Sequence, residues 1–206
     1  VTGASCEYAN EQDGGLNSPA ATSRYISENR YCAVGSLYKS GAGCGDCFEV
    51  SYDGSSGTNP GTAGHAKVQV VNSAEATDFV CHKDVFKTIT GGSTGIYPVT
   101  FKPISCSTKS ATGVATVLDG DNKYYTKVIF SDLPYAVAAA TLTVNSKSFE
   151  MSRVQGATFM ASTDGSQGVV SFKMTLSDGS HKELKECFSS WPVKTLSSCA
   201  PSMAIE

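Results

Sequence analysis

The chain has 206 residues, of which only 17% are charged, and a net charge of −3. Seven basic residues face ten acidic ones through residue 107, and nine of each follow, so neither half has the cationic excess that draws a protein onto nucleic acid or an anionic membrane. No run approaches the ~18 apolar residues of a membrane span, and a neutral polymer suits this balance better than a polyanion.

Cysteine spacing sets the next expectation. Cys6, Cys32, Cys44, Cys47, Cys81 and Cys106 precede residue 107, whereas Cys187 and Cys199 lie near the end. An even set of this kind predicts disulfides and an oxidising compartment, hence a secreted or surface-exposed protein. No signal-peptide pattern begins at Val1, so the chain reads as a mature secreted form. Asn17-Ser18 is followed by Pro19 and gives no glycosylation sequon. The pair in Cys44-Gly45-Asp46-Cys47 is open to zinc or redox readings, but His65, His82 and His181 are scattered and no βαβ context follows. No metal and no cofactor are expected.

In chain order, turn clusters at 12–15 and 53–61 bracket short strand-like runs at 47–52, 66–71 and 97–104. Val85, Phe86 and Ile89 fall at helical spacing and predict a short helix over 83–89, closed by Gly91-Gly92. The small polar stretch 107–113 reads as a linker. Clearer period-two alternation follows at 124–130, 140–144 and 170–176, with a hairpin signal at Asp178-Gly179. The expectation is all-β, in two domains, 1–107 and 108–206, the second a β-sandwich. If these fold independently, Cys187 pairs with Cys199; the six earlier cysteines allow 15 pairings, among which sequence does not choose.

The run Leu37-Tyr38-Lys39-Ser40-Gly41-Ala42-Gly43-Cys44-Gly45-Asp46-Cys47-Phe48-Glu49-Val50 resembles the signature of expansins, most closely the plant expansin-like subgroups. Thr77-Asp78-Phe79-Val80, Val85-Phe86-Lys87-Thr88-Ile89, Gly95-Ile96-Tyr97-Pro98-Val99-Thr100-Phe101 and Cys106 follow in that family's order. Asp119-Gly120-Asp121-Asn122-Lys123-Tyr124-Tyr125 and Ser148-Phe149-Glu150-Met151-Ser152-Arg153 are similar to landmarks of its carbohydrate-binding domain. The resemblance implies a six-stranded double-psi β-barrel followed by an immunoglobulin-like β-sandwich. It also implies a secreted, monomeric protein that binds cell-wall polysaccharide and loosens it without hydrolysis.

Glycoside hydrolysis requires two carboxylates flanking the bond. By the resemblance, the family's Thr-Asp pair falls at Val71-Asn72, and Val80 stands where its acid would be. Asp78, two positions earlier, is the best remaining groove candidate, ahead of Asn72, Asp84 and Asp46. Asp84 also reads as a solvated or capping acid at a helix start, Asp46 as an exposed loop residue and Tyr97 as core. A second carboxylate would have to come from Glu7, Glu11 or Asp13, and Thr2 is the lone hydroxyl ahead of Cys6.

For the second domain the resemblance matches Tyr124 and Tyr125 to adjacent sugar-stacking aromatics, both available only if their strand starts with a bulge or turn. The family's third aromatic falls on Gly156; Phe159 and Trp191 are the candidates to replace it, each with a competing reading as core. The rival functions are a weak endoglucanase of the same barrel type and an extracellular protein-recognition or allergen-like module.

Overall fold

A computed structural model describes residues 5–8, 24–56, 61–75, 78–106 and 113–200. Thr2, Glu11, Asp13, Thr77, the expected turn cluster at 12–15 and all but Gly113 of the expected linker at 107–113 lie outside the described residues.

Apolar alternation folds the first half around one sheet. Its strands are β1 (Tyr31–Val34), β2 (Cys47–Tyr52), β3 (Gly64–Ser73), β4 (Phe79–Cys81) and β5 (Thr100–Ile104), in the order β4-β1-β3-β2-β5. A short helix α1 (Arg24–Ser27) precedes β1, and α2 (Lys83–Thr90) joins β4 to β5. β1 runs parallel to β3 and the other neighbours are antiparallel. Five strands lie among the described residues, against the six that the resemblance implies.

The outer strands β4 and β5 share no ladder, yet Phe79 on one and Phe101 on the other meet edge to face at 5.1 Å, both against Phe48. The sheet therefore curls until its two edges approach, which makes it barrel-like. Val34, Val50, Val68 and Val70 fill its interior with almost no exposure.

The described residues of the second half hold eight strands: β6 (Val114–Asn122), β7 (Tyr125–Ser131), β8 (Val137–Val144), β9 (Lys147–Gln155), β10 (Thr158–Ser162), β11 (Val170–Leu176), β12 (His181–Phe188) and β13 (Ser198–Cys199). Their order is β12-β11-β8-β9-β10-β7-β6-β13, and all pairs are antiparallel. Phe130, Phe159 and Phe172 pack tilted or edge-on in the core, each fully buried. Burial of this kind stabilises by about 1.5–3 kcal/mol per side chain.

All eight cysteines are oxidised, as Cys6–Cys44, Cys32–Cys81, Cys47–Cys106 and Cys187–Cys199. The Cys187–Cys199 bond joins β12 to β13, the two ends of the eight-strand order, so one covalent link closes that layer. The expected strand at 97–104 begins only at Thr100, because the preceding residues turn across the end of the barrel to line a cleft.

Candidate functional site

The cleft is set by how α2 is bounded. His82 is the N-cap, its Nδ1 accepting the Asp84 N–H at 3.3 Å, and Gly91 ends the helix in the left-handed region at φ 69°, returning its N–H to the Lys87 carbonyl. The chain then turns back. Tyr97 is locked by edge-on contacts with Tyr52 at 5.2 Å and Phe86 at 5.7 Å, and its hydroxyl donates to the Thr94 carbonyl at 3.3 Å.

Between this return, α2 and β4 lies a cavity of about 660 Å³. Asp78, Val80, Lys83, Phe86, Ile96 and Tyr97 are among its lining residues. Val80 and Ile96 are apolar yet 43% and 67% exposed, so its lips are greasy rather than acidic. Asp78 and Val80 both line it, as alternate positions of an extended run should. Asp78 is the one carboxylate among the described lining residues.

The other polar candidates do not gather there. Asn72 Oδ1 accepts the backbone N–H groups of Ser5 at 3.1 Å and Ser73 at 3.0 Å, fixing the N-terminal segment to β3. Asp84 sits in the first turn of α2, where a negative charge complements the helix dipole, and accepts from Asn29 Nδ2 at 3.1 Å. Asp46, expected as an exposed loop residue, is half-buried and ties the two sheets together, accepting from the Ala136 N–H at 3.0 Å and Ser177 Oγ at 2.8 Å. Glu7 pairs with Lys127 at 3.1 Å. Tyr97 is core, as expected, and His65 is exposed, whereas His82 is half-buried against the Tyr31 ring rather than on the surface. Among the described residues no cluster of His, Cys, Asp or Glu could hold a metal ion.

On the second sheet, Lys123 and Tyr124 form the turn between β6 and β7, where Asn122 faces Tyr125. The turn takes Tyr124 out of the strand alternation and leaves it 57% exposed, with Tyr125 half-buried beside it. Asn122 Oδ1 caps the Tyr124 N–H at 2.9 Å, and the Tyr124 carbonyl accepts from the Thr163 N–H at 2.9 Å. The Lys123 ammonium rests 5.2 Å from the Tyr124 ring centroid. An exposed cation–π contact is worth about 0.5–1 kcal/mol. By analogy with bases on aromatic rings, stacking of a ligand gains about 1–3 kcal/mol, enough to displace the cation from a ring that is more than half exposed.

No family model matches the chain. Expansin-like protein 7 of Dictyostelium discoideum is 29% identical over 147 residues, 67% of this chain, and the chain spans 23% of that protein's length. The crystal structure of apo Clavibacter michiganensis expansin superposes with a TM-score of 0.65 at 16% identity, over 84% of this chain and 80% of that one. A mutant of the same expansin in complex with cellohexaose gives a TM-score of 0.67 at 16% identity, over the same shares. The chain is similar to expansins in sequence and in fold.

Two of the expected sugar-stacking aromatics are corrected by burial. Phe159 is 1% exposed, sandwiched between Phe130 and the Arg153 guanidinium at 4.6 Å. Trp191 is 2% exposed within the core of the second sheet. Neither offers a face to a ligand. Position 156 is closed as well: Gly156 has φ 54°, and a Cβ there would fall 2.4 Å from Cys6 Cα. Sequence reasoning also missed the segment that holds Tyr124, where Asp164 Oδ1 accepts from the Ser166 N–H at 3.0 Å and from its hydroxyl. The Asp-x-Ser spacing of an Asx turn was the available signal.

Proposed function

We propose that this is a secreted, monomeric expansin-like protein that binds neutral cell-wall polysaccharide, a β-glucan foremost, and loosens it without cleaving it. In this reading residues 1–107 form the double-psi β-barrel and 108–206 the immunoglobulin-like sandwich. Asp78 contributes the polar contact of the barrel cleft and Tyr124 the exposed ring that stacks on a sugar face, with Tyr125 half-buried beside it. The four disulfides support an oxidising compartment. The cellohexaose held by the mutant of the Clavibacter relative supports a glucan as ligand.

One observation carries the non-hydrolytic part: the cleft is lined by a single described carboxylate, with Val80 on the same run. Acid–base hydrolysis needs a proton donor and a base or nucleophile on opposite sides of the glycosidic bond, and one carboxylate cannot fill both roles. The test is a binding panel over insoluble glucan, mannan, chitin and xylan, with reducing sugar assayed in the same tubes. Retention on glucan without sugar release is the expected result. Sugar release abolished by Asp78→Asn would make the protein an endoglucanase, and retention on no polymer would favour protein recognition.

A further inference from the structure

Resting on the polysaccharide reading above, the geometry points to a narrower ligand for the second sheet: single glucan chains, soluble or amorphous, bound by one stacking ring. A crystalline face is recognised by several coplanar rings in a row. Here the row is reduced to Tyr124. Phe159 and Trp191 are in the core, Gly156 is walled in by Cys6, and Tyr125 is half-buried.

What remains is a ring on a purpose-built shelf, the loop 163–168. Gly165 lies at φ 86°, which L side chains rarely adopt, and a Cβ placed on it would come within 2.9 Å of Tyr124 Cε1, so a larger residue there would push the ring off this backbone. The loop is pinned at several points. Thr163 donates its N–H to the Tyr124 carbonyl at 2.9 Å and its hydroxyl to the Lys123 carbonyl. Asp164 pairs with Lys147 at 2.8 Å. Gly168 abuts Asn145, whose N–H donates to the Val169 carbonyl at 2.9 Å.

Hydrogen-bonding groups accompany the ring: Lys123 beside it on the turn, and the exposed Asp164–Lys147 pair on the shelf loop. One apolar face accompanied by polar groups suits one sugar with its equatorial hydroxyls free, as in a separated chain. Gly165 is thus a positioning residue, and through it the loop sets which physical form of glucan is taken.

The test uses the whole protein, with cellohexaose, acid-swollen cellulose and microcrystalline cellulose as probes. The expected result is saturable binding to the first two and no retention on the third. Tyr124→Ala and Gly165→Ala should each weaken cellohexaose binding about 5- to 100-fold. Gly179→Ala is the control: Gly179 has φ 84° with nothing within 4 Å of its added Cβ, so it carries the same backbone strain without touching a ring. It should bind like the parent. In case Gly165→Ala misfolds, amide shifts of Gly165 and Tyr124 in the unsubstituted protein should move on cellohexaose titration. Strong microcrystalline retention, full affinity in Gly165→Ala, or unmoved amides would overturn the inference while leaving polysaccharide binding intact. Absence of binding to all three glucans would overturn both.

Discussion

Asp46, just ahead of β2, and Ala136, just ahead of β8, are joined through the Asp46 carboxylate, which accepts the Ala136 N–H at 3.0 Å and the Ser177 hydroxyl at 2.8 Å on one oxygen. The glycine-and-cysteine run that dominates the sequence is therefore an inter-sheet joint at this point. Removing the acceptor orphans the amide of buried Ala136, which costs about 1–3 kcal/mol. Asp46→Ala should lower the urea midpoint accordingly, while Asp46→Asn, which keeps an oxygen in place, should cost less than half as much. Equal losses for the two variants would mean that the hydrogen bonds are not what the carboxylate contributes.

Arg153 makes the matching joint from the other side. Its guanidinium donates to the Gly41 carbonyl at 3.3 Å and to the carbonyls of Gly156 and Val137, while stacking on Phe159. Burial pushes its pKa below the ordinary arginine value, with Tyr8 and Tyr38 opposing that shift. A lysine has no planar fork to reach three carbonyls at once. Arg153→Lys and Arg153→Ala should both destabilise by about 2–3 kcal/mol. Because the residue bridges the sheets, the parent should unfold in a single calorimetric transition and either variant in two. A single, merely shifted transition would deny the bridging role.

Much of this architecture was legible beforehand, and the exceptions share causes. The strand at Cys47–Tyr52 and the helix near Lys83 were found where period-two and helical spacing are strong. β4 has three residues and β13 two, too short for any alternation to register. β9 is exposed at most of its positions, so it lacks the apolar beat of a half-buried strand. Motif position puts Asp78 in the cleft lining and Tyr124 at an exposed turn, and the structure has both there. For Phe159 and Trp191 the sequence leaves a ligand reading beside a core reading, and burial selects the core, since an aromatic's face is decided by cross-strand register rather than by its neighbours in sequence. Gly165 was hidden for the same reason: it meets Tyr124 only across the gap between two loops.

Two of the disulfides make a quantitative comparison. Cys47–Cys106 closes a separation of 59 residues and Cys187–Cys199 one of 12. Chain entropy then assigns about 4 and about 3 kcal/mol respectively. Replacing each pair by alanines should give urea midpoints in that order. The shorter bridge has a further consequence, because it joins β12 to β13. Its loss should raise hydrogen exchange in β12, β13 and β6 ahead of the other strands. Uniform acceleration across the second sheet would contradict closure by this bond.

The acidity of the Tyr124 shelf gives a pH dependence of definite sign. The Lys147 hydrogen bond, then those from the Ser166 hydroxyl and N–H, hold the Asp164 carboxyl well below its usual value of 3.8. A depressed folded value means that the contribution is fully present above the unfolded value and is lost as pH falls through the folded one. The loop should thus be unchanged from about pH 8 down to about pH 5, and loosen only below about pH 4. Cellohexaose affinity should follow the same course if the loop positions the ring. Carboxyl carbon shifts of Asp164 measure the midpoint directly: Lys147→Ala should move it up towards the ordinary range, and so should high salt, which screens an exposed pair. An Asp164 that titrates at the ordinary value in the unsubstituted protein would show that the ion pair does not hold the shelf.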